Sequence, residues 1–329
     1  MIDQSVARRR ALIVAVAAAV AAAFALFSLH AQDYPSRVIR IVNGFAAGGS
    51  SDIVARLMAQ KLSESLKQQV IVETRAGAGG IIANEYVAKS PPDGYVLAVI
   101  TGAYPSQPAM LKKLPYDPLQ DLAMVSTLTF YPFVVGVGTN SPFRTLQELI
   151  TYAKANPGKL NFASAGIGTI HHLSAELFNV MAGIEMTHVP FKGGTTPVTE
   201  LMAGRVDVMF ETMTLSLSQI QGGRLRPLAV TSTARSPSLP GVPTVAEVLP
   251  GYEVNSFLGF ATTAGTPPAV IERLNGEIRR VLGQADTRQK FQDLGGEPRA
   301  SSPEEMRAFI ESEIAKWKRV VAARKIEQQ

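Results

Sequence analysis

RVIRIVNGFAAGGSSDIVARLMAQKLSESL, residues 37–66, reads as a β-strand, a glycine-rich turn and an amphipathic helix in direct succession. Residues 37–42 are dominated by β-branched side chains, which fit a pleated strand. From Asp52 onward, Ile53, Leu57, Met58, Leu62 and Leu66 recur at the spacing that gathers side chains on one helical face. A strand that enters a helix through a tight turn is the first half of a βαβ unit. Its repetition is the signature of an α/β fold with parallel strands.

The cycle does repeat. Residues 70–72, 81–89 and 95–100 read as strand, helix and strand, and a proline-rich irregular stretch at 105–118 interrupts them. A second series starts near 133–137. Its first helix is marked by Thr145 and Glu148 at capping-box spacing and is stopped by Asn156-Pro157-Gly158. Further strands are expected at 160–163, 186–189, 206–210 and 226–230, with helices beginning near Thr169 and Pro197. Four prolines in 236–251 favour extended backbone and suggest a crossing between two lobes. Two helices are expected to close the chain. One follows Thr266-Pro267, and the other follows Ser302-Pro303 with Glu305, with Trp317 in its apolar stripe as a core residue.

Residues 1–31 read as an export leader: Arg8, Arg9 and Arg10 precede an unbroken apolar run from Ala11 to Phe27, and Leu29-His30-Ala31 suits cleavage after Ala31. The alternative is an uncleaved anchor, since a span needs roughly 17 apolar residues; the alanine content makes it a weak one. The arginines match a twin-arginine signal only partly. Residues 32–329 are too long for one ordinary core, at roughly 100–200 residues per domain. The expected lobes are 32–131 with 251–329, and 132–250. Without the leader's three arginines and one aspartate the net charge is +3, and with no basic cluster in the remainder this argues against nucleic acid as a partner. With no cysteine in the sequence, apolar burial alone must hold the lobes.

Three glycine-rich loops sit after a strand and before a helix, where unpaired N–H groups and the helix dipole favour an anion. The first, residues 44–52, offers Gly48 and Gly49 for close backbone approach, the hydroxyls of Ser50 and Ser51, and Asp52 as a cap or a ligand contact. The second runs Ser164-Ala165-Gly166-Ile167-Gly168-Thr169 into His171 and His172. It has Phe162 where a nucleophile elbow needs its first glycine, and His171 where a dinucleotide loop needs its third. Adjacent helical histidines point about 100° apart, so a shared metal is not expected; one faces the cleft and the other packs or meets solvent. The third is Phe191-Lys192-Gly193-Gly194-Thr195-Thr196. There Lys192 is either a partner for a ligand carboxylate or a solvated side chain. A fourth turn, residues 75–80, also suits a helix entry. No Walker sequence, HExxH or cysteine pair is present, and no cofactor is expected.

Taken in order, Gly48-Gly49 with Asp52, Pro92-Asp93-Gly94-Tyr95, Leu114-Pro115-Tyr116-Asp117-Pro118, His188-Val189-Pro190-Phe191-Lys192-Gly193, Val206-Asp207-Val208-Met209-Phe210 and Pro240-Gly241-Val242-Pro243-Thr244 resemble the receptors of the tripartite tricarboxylate transporter family. These are also called Bug periplasmic binding proteins. The resemblance implies a two-lobed periplasmic binding protein fold of type II-like form, each lobe a mixed, mainly parallel sheet flanked by helices. It implies a monomeric, non-enzymatic receptor that holds a small mono-, di- or tricarboxylate between its lobes. The ligand would pass to large and small membrane subunits of a transporter.

Carried over by position, the resemblance puts Phe45, Ala47, Gly48, Gly49 and Asp52 on one wall. Ser164, Gly166, Gly168, Thr169 and His172 face them, and Thr101 follows its strand. Two departures bear on the ligand's far end. Glu211-Thr212 stands where the family usually has aspartate and asparagine, and residues 101–108 differ from the common pattern. Glu211 is accordingly expected at the site. A hydrolase built on Ser164 and His172, or a receptor feeding a membrane sensor, are the competing readings.

Overall fold

The computed structural model describes residues 34–323 and Gln328; the leader expected at 1–31 lies outside them. Strand β1 (Ile39–Asn43) pairs in parallel with β2 (Val70–Thr74) and β3 (Val96–Thr101). Helices α1 (Ser50–Leu66) and α2 (Ile81–Ala88) lie between them in the chain. Both faces of β3 are covered. Leu97 and Val99 of β3 enter one apolar cluster, while Val96, Ala98 and Ile100 enter the other, which is why the strand reads as a continuous apolar run.

The proline-rich stretch read as irregular contains a helix, α3 (Ala103–Met110). Pro105 falls in the first turn, where an N–H would have no intrahelical partner, so its presence is tolerated. Pro108 stands inside the helix, which ends two residues later.

The long strand β4 (Leu122–Gly138) joins two sets of strands. Its first part pairs antiparallel with β9 (Asn255–Thr263), from Leu122 opposite Thr263 to Pro132 opposite Asn255. From Phe133 onward it pairs with β7 (Val208–Thr212), and from Val134 with β8 (Leu225–Val230). Beyond β7 come β5 (Asn161–Ser164) and β6 (Thr187–Pro190), both parallel. β9 in turn pairs antiparallel with β3, completing the order β2-β1-β3-β9-β4-β7-β5-β6. The sheet is thus mixed: parallel at its two ends and antiparallel where the chain crosses.

Helices α4 (Leu146–Ala155), α5 (Ile170–Ala182), α6 (Thr196–Met202) and α7 (Met213–Gln221) follow the strands of the second set. Thr145 caps α4 by accepting from the Glu148 N–H, at the expected start. Past the expected helix α8 (Pro268–Leu282), the structure adds a short α9 (Ala285–Asp293) and a two-residue strand β10 (Glu297–Pro298) that pairs with β4.

The last helix, α10 (Pro303–Ala323), starts with a complete capping box between Ser302 and Glu305. Its Met306, Ile310 and Ile314 enter the core over the first strand set, while Trp317 and Val321 enter the core over the second. At 1.5 Å per residue, the helix is long enough to tie the two together. Burying five such side chains contributes roughly 1.5–3 kcal/mol each.

Candidate functional site

The loops from β1 into α1 and from β5 into α5 share one backbone plan. In the first, Gly49 is the N-cap of α1 and offers no side chain. Gly48 precedes it at φ +78°, and its N–H donates to Asp52 Oδ2 at 2.9 Å. In the second, Thr169 caps α5 and accepts from the His172 N–H, while Gly168, at φ +74°, donates its N–H to His172 Nδ1 at 3.3 Å. In each loop the third helical residue reaches back to the glycine before the cap. Both glycines have left-handed backbone that a side chain would strain.

That plan assigns Asp52 and His172 to loop bracing. Asp52 also pairs with Arg56, and its Oδ1 is buried without a partner. The His172 ring stacks on His188 with centroids 4.0 Å apart.

The two helix entries converge on one cavity of about 30 Å³, room for roughly two waters. Its walls include the first two residues of α1, Ser50 and Ser51, and the first two of α5, Ile170 and His171. The first N–H groups of any helix lack intrahelical partners, so two sets of donors with positive dipole ends meet at this point. Thr101, Gly102 and Ala103 close one side, and Gly193 and Gly194 of the third loop close another. The loops are in tight contact: a Cβ on Gly49 would lie 3.1 Å from Gly194 Cα, and Ala46 donates its N–H to Lys192 O at 3.4 Å.

The remaining lining is mixed, with polar groups beside Leu215 and Leu258. Tyr131, Ser256, His171 and Glu211 stand there. Glu211 is 3% exposed; its Oε1 accepts from the Thr212 N–H at 2.7 Å and lies 3.2 Å from His171 Nε2. Burial pushes the Tyr131 phenol up to about 12, with Ser256, Ser50 and the Glu211 carboxylate around it; it is a neutral hydroxyl at physiological pH. Among the described residues the lining holds no lysine or arginine.

Of the positions expected from sequence, Phe45, Gly49, Ser50, Thr101, Thr169 and Glu211 line this cavity. Ala47, Gly48, Asp52, Ser164, Gly166, Gly168, His172 and Lys192 do not. His171 stands on the wall where His172 was expected, because the third residue of α5 is turned back to brace its own loop. Lys192 is exposed and lines a neighbouring cavity with Phe45, Gly79, Gly166 and Phe191. Gly79 of the fourth turn faces that cavity, its carbonyl held by Gln107 Nε2 at 2.8 Å.

Ser164 is 1% exposed, and its hydroxyl meets His188 Nε2 at 2.6 Å, not His172. Burial, and then the neighbouring His172, lower the His188 imidazole to about 3. A nucleophile would need access to a substrate, and neither group reaches the cavity. Among the described residues no His, Cys, Asp and Glu cluster has the makings of a metal site. Tyr131, Ser256 and Gly194 were not anticipated on this wall, and His171 was one of two histidines of which one was expected to face the cleft. Gly194 and His171 carried a local signal, within or beside the glycine loops.

Comparison with known proteins agrees with this architecture. The family described as tripartite tricarboxylate transporter family receptor matches residues 54–326. The UPF0065 protein in the tcbD-tcbE intergenic region of Pseudomonas sp. (strain P51) is 38% identical over 96% of this chain and 94% of its own. Among solved structures, R. palustris Rpa4515 with adipate superposes with a TM-score of 0.88 at 35% identity, covering 90% of this chain and all of that one (100%). The periplasmic binding protein BugD superposes with a TM-score of 0.86 at 31% identity, again over 90% of this chain and 100% of the other. The fold is the two-lobed fold of periplasmic binding proteins, and the chain belongs to the tripartite tricarboxylate transporter receptor family.

Proposed function

We propose that this protein is a periplasmic receptor that takes up a small carboxylate between its lobes and delivers it to a tripartite transporter with large and small membrane subunits. The observation that carries the reading is the meeting of two helix N-termini, α1 and α5, on one cavity. The N–H groups of Ser50, Ser51, Ile170 and His171 are the donors we assign to the ligand carboxylate. Hydrogen bonds to a charged group contribute about 1.5–3 kcal/mol each, and neutral donors avoid the desolvation of a buried cationic partner. Adipate in the R. palustris relative supports a carboxylate as the ligand class.

In this reading the lobes are residues 32–131 with 251–329, and 132–250, and the leader is cleaved near Ala31 in export. The partner change of β4 between Pro132 and Phe133 supports the first boundary. Phe45, Gly49, Ser50 and Thr101 of one lobe meet Thr169, His171, Gly194 and Glu211 of the other. Asp52 and His172 hold the two loops in shape. The protein works as a monomer without cofactor, metal or catalytic step.

Thermal unfolding with a panel of carboxylates tests this. A ligand that binds only the folded state stabilises it by about 2.7 kcal/mol at a hundredfold excess over Kd, which raises Tm by several degrees. No shift across mono-, di- and tricarboxylates would refute the proposal.

A further inference from the structure

Helix α3 lies in the first proposed lobe and rests on the second glycine loop, which lies in the other. Gly102, Ser106 and Met110 recur at four-residue spacing, which gathers them on one helical face. A Cβ on Gly102 would stand 3.1 Å from Ile170 Cγ2, and one on Gly168 would stand 3.7 Å from Met110 Cβ. Between these contacts Ser106, fully buried, donates its hydroxyl to Gly168 O at 2.7 Å. Among the described residues no other hydrogen bond reaches that carbonyl.

The same hydroxyl has a second acceptor, Ala103 O, 3.0 Å away in its own helix. It carries one proton and so serves one of the two at a time. The helix itself is pinned within its lobe. Gln107 donates to Gly79 O at 2.8 Å and accepts from the Tyr116 hydroxyl at 3.0 Å, and Asn84 donates to that hydroxyl at 3.1 Å.

We propose that Ser106 is a positioning residue for ligand capture: its hydroxyl turns from Ala103 O to Gly168 O as the lobes close, and so latches the closed form. The inference rests on the receptor reading above and goes beyond it, because Ser106 does not line the cavity. When the lobes part, Ser106 keeps Ala103 O and the Gly168 carbonyl meets water. A bond made only in the closed form adds to ligand affinity without touching the ligand. Ser106→Ala removes the donor, leaves the buried carbonyl unpartnered in the closed form alone, and suits the helix locally.

Calorimetric titration of the exported receptor with acetate, succinate, adipate and citrate tests this. For each acid that binds, Ser106→Ala is expected to raise Kd about fivefold or more, equivalent to about 1 kcal/mol, with the ligand-free Tm no lower than that of the wild type. Amide NMR adds a readout that a merely structural role would not move. The Thr169 nitrogen, bonded to the Gly168 carbonyl carbon, should differ between the two proteins at saturating ligand and coincide without it.

A Kd within twofold of the wild type overturns the proposal, as does a Thr169 signal that differs equally with and without ligand. A variant that does not fold, or whose ligand-free stability drops by as much as its binding, makes Ser106 a structural residue and overturns it too. Failure of all four acids to bind the wild type sinks the receptor reading itself, an outcome separate from an unchanged Kd.

Discussion

Replacing Gly49 by alanine should weaken ligand binding without weakening the ligand-free fold. The backbone at Gly49 is ordinary, φ −77° and ψ 169°, so alanine suits it locally. Its preference as an N-cap is poorer than glycine's by under about 1 kcal/mol. The obstacle lies across the cleft. The new Cβ would stand 3.1 Å from both Cα and N of Gly194 and 3.4 Å from Ala46 O, inside the 3.5–4.0 Å optimum for carbon contacts. These are backbone atoms, and Gly194 is fixed by its own φ of +72°, so the loops must move apart. Overpacking of this kind costs about 1–3 kcal/mol. In a receptor whose lobes part when ligand-free, that cost falls on the closed form, which translates to a Kd raised about 5- to 150-fold. Calorimetric titration gives the Kd, and thermal unfolding without ligand gives the control. A Kd within twofold of the wild type would refute the reasoning, and so would a ligand-free protein destabilised by as much as the binding is weakened.

Gly94→Ala makes the opposite case. Gly94 has φ +78°, and a Cβ there would meet Val270 Cγ1 at 2.3 Å, so Tm should fall by ~5 °C or more while ligand affinity holds; an unchanged Tm would contradict the packing. The buried His188 imidazole is depressed from 6.5 to about 3. The unfolded chain therefore binds the extra proton between those values, and stability present above 6.5 is lost as pH falls toward 3. His188→Gln should flatten that part of the Tm–pH curve, and parallel curves would count against it. Ser164→Ala should leave any background ester hydrolysis unchanged, whereas loss of a real rate would make Ser164 a nucleophile.

Much of the fold could be read from the chain because strands such as β1 and β3 are buried on both faces. Residues 37–42, 95–100 and 226–230 stand out as apolar runs, and their strands lie within two residues of the expected limits. The crossing strands were harder. In β4 only 133–137 was recognised, since Thr127, Thr129 and Pro132 break the apolar pattern at the sheet's centre. β9 was missed altogether, because Asn255, Ser256 and Gly259 interrupt it. Helix α3 was hidden by two prolines.

At the site, the glycine loops announced themselves, but the facing direction of single side chains did not. His172 occupies the third helical position after Thr169, the place of the acidic partner in a capping box. That spacing could have marked it as a brace and pointed to His171 for the cavity. Tyr131 and Ser256 come from strands that pair across the fold, and no local pattern links residues 125 positions apart.

Amide nitrogen NMR of the isotopically labelled receptor tests the central claim most directly. On addition of a saturating carboxylate, the N–H signals of Ser50, Ser51, Ile170 and His171 should show the largest downfield shifts, as donors to a charged acceptor do. If those four stay in place while the largest shifts fall elsewhere, for instance in the groove lined by Arg288 and Arg299, the two helix entries do not hold the ligand.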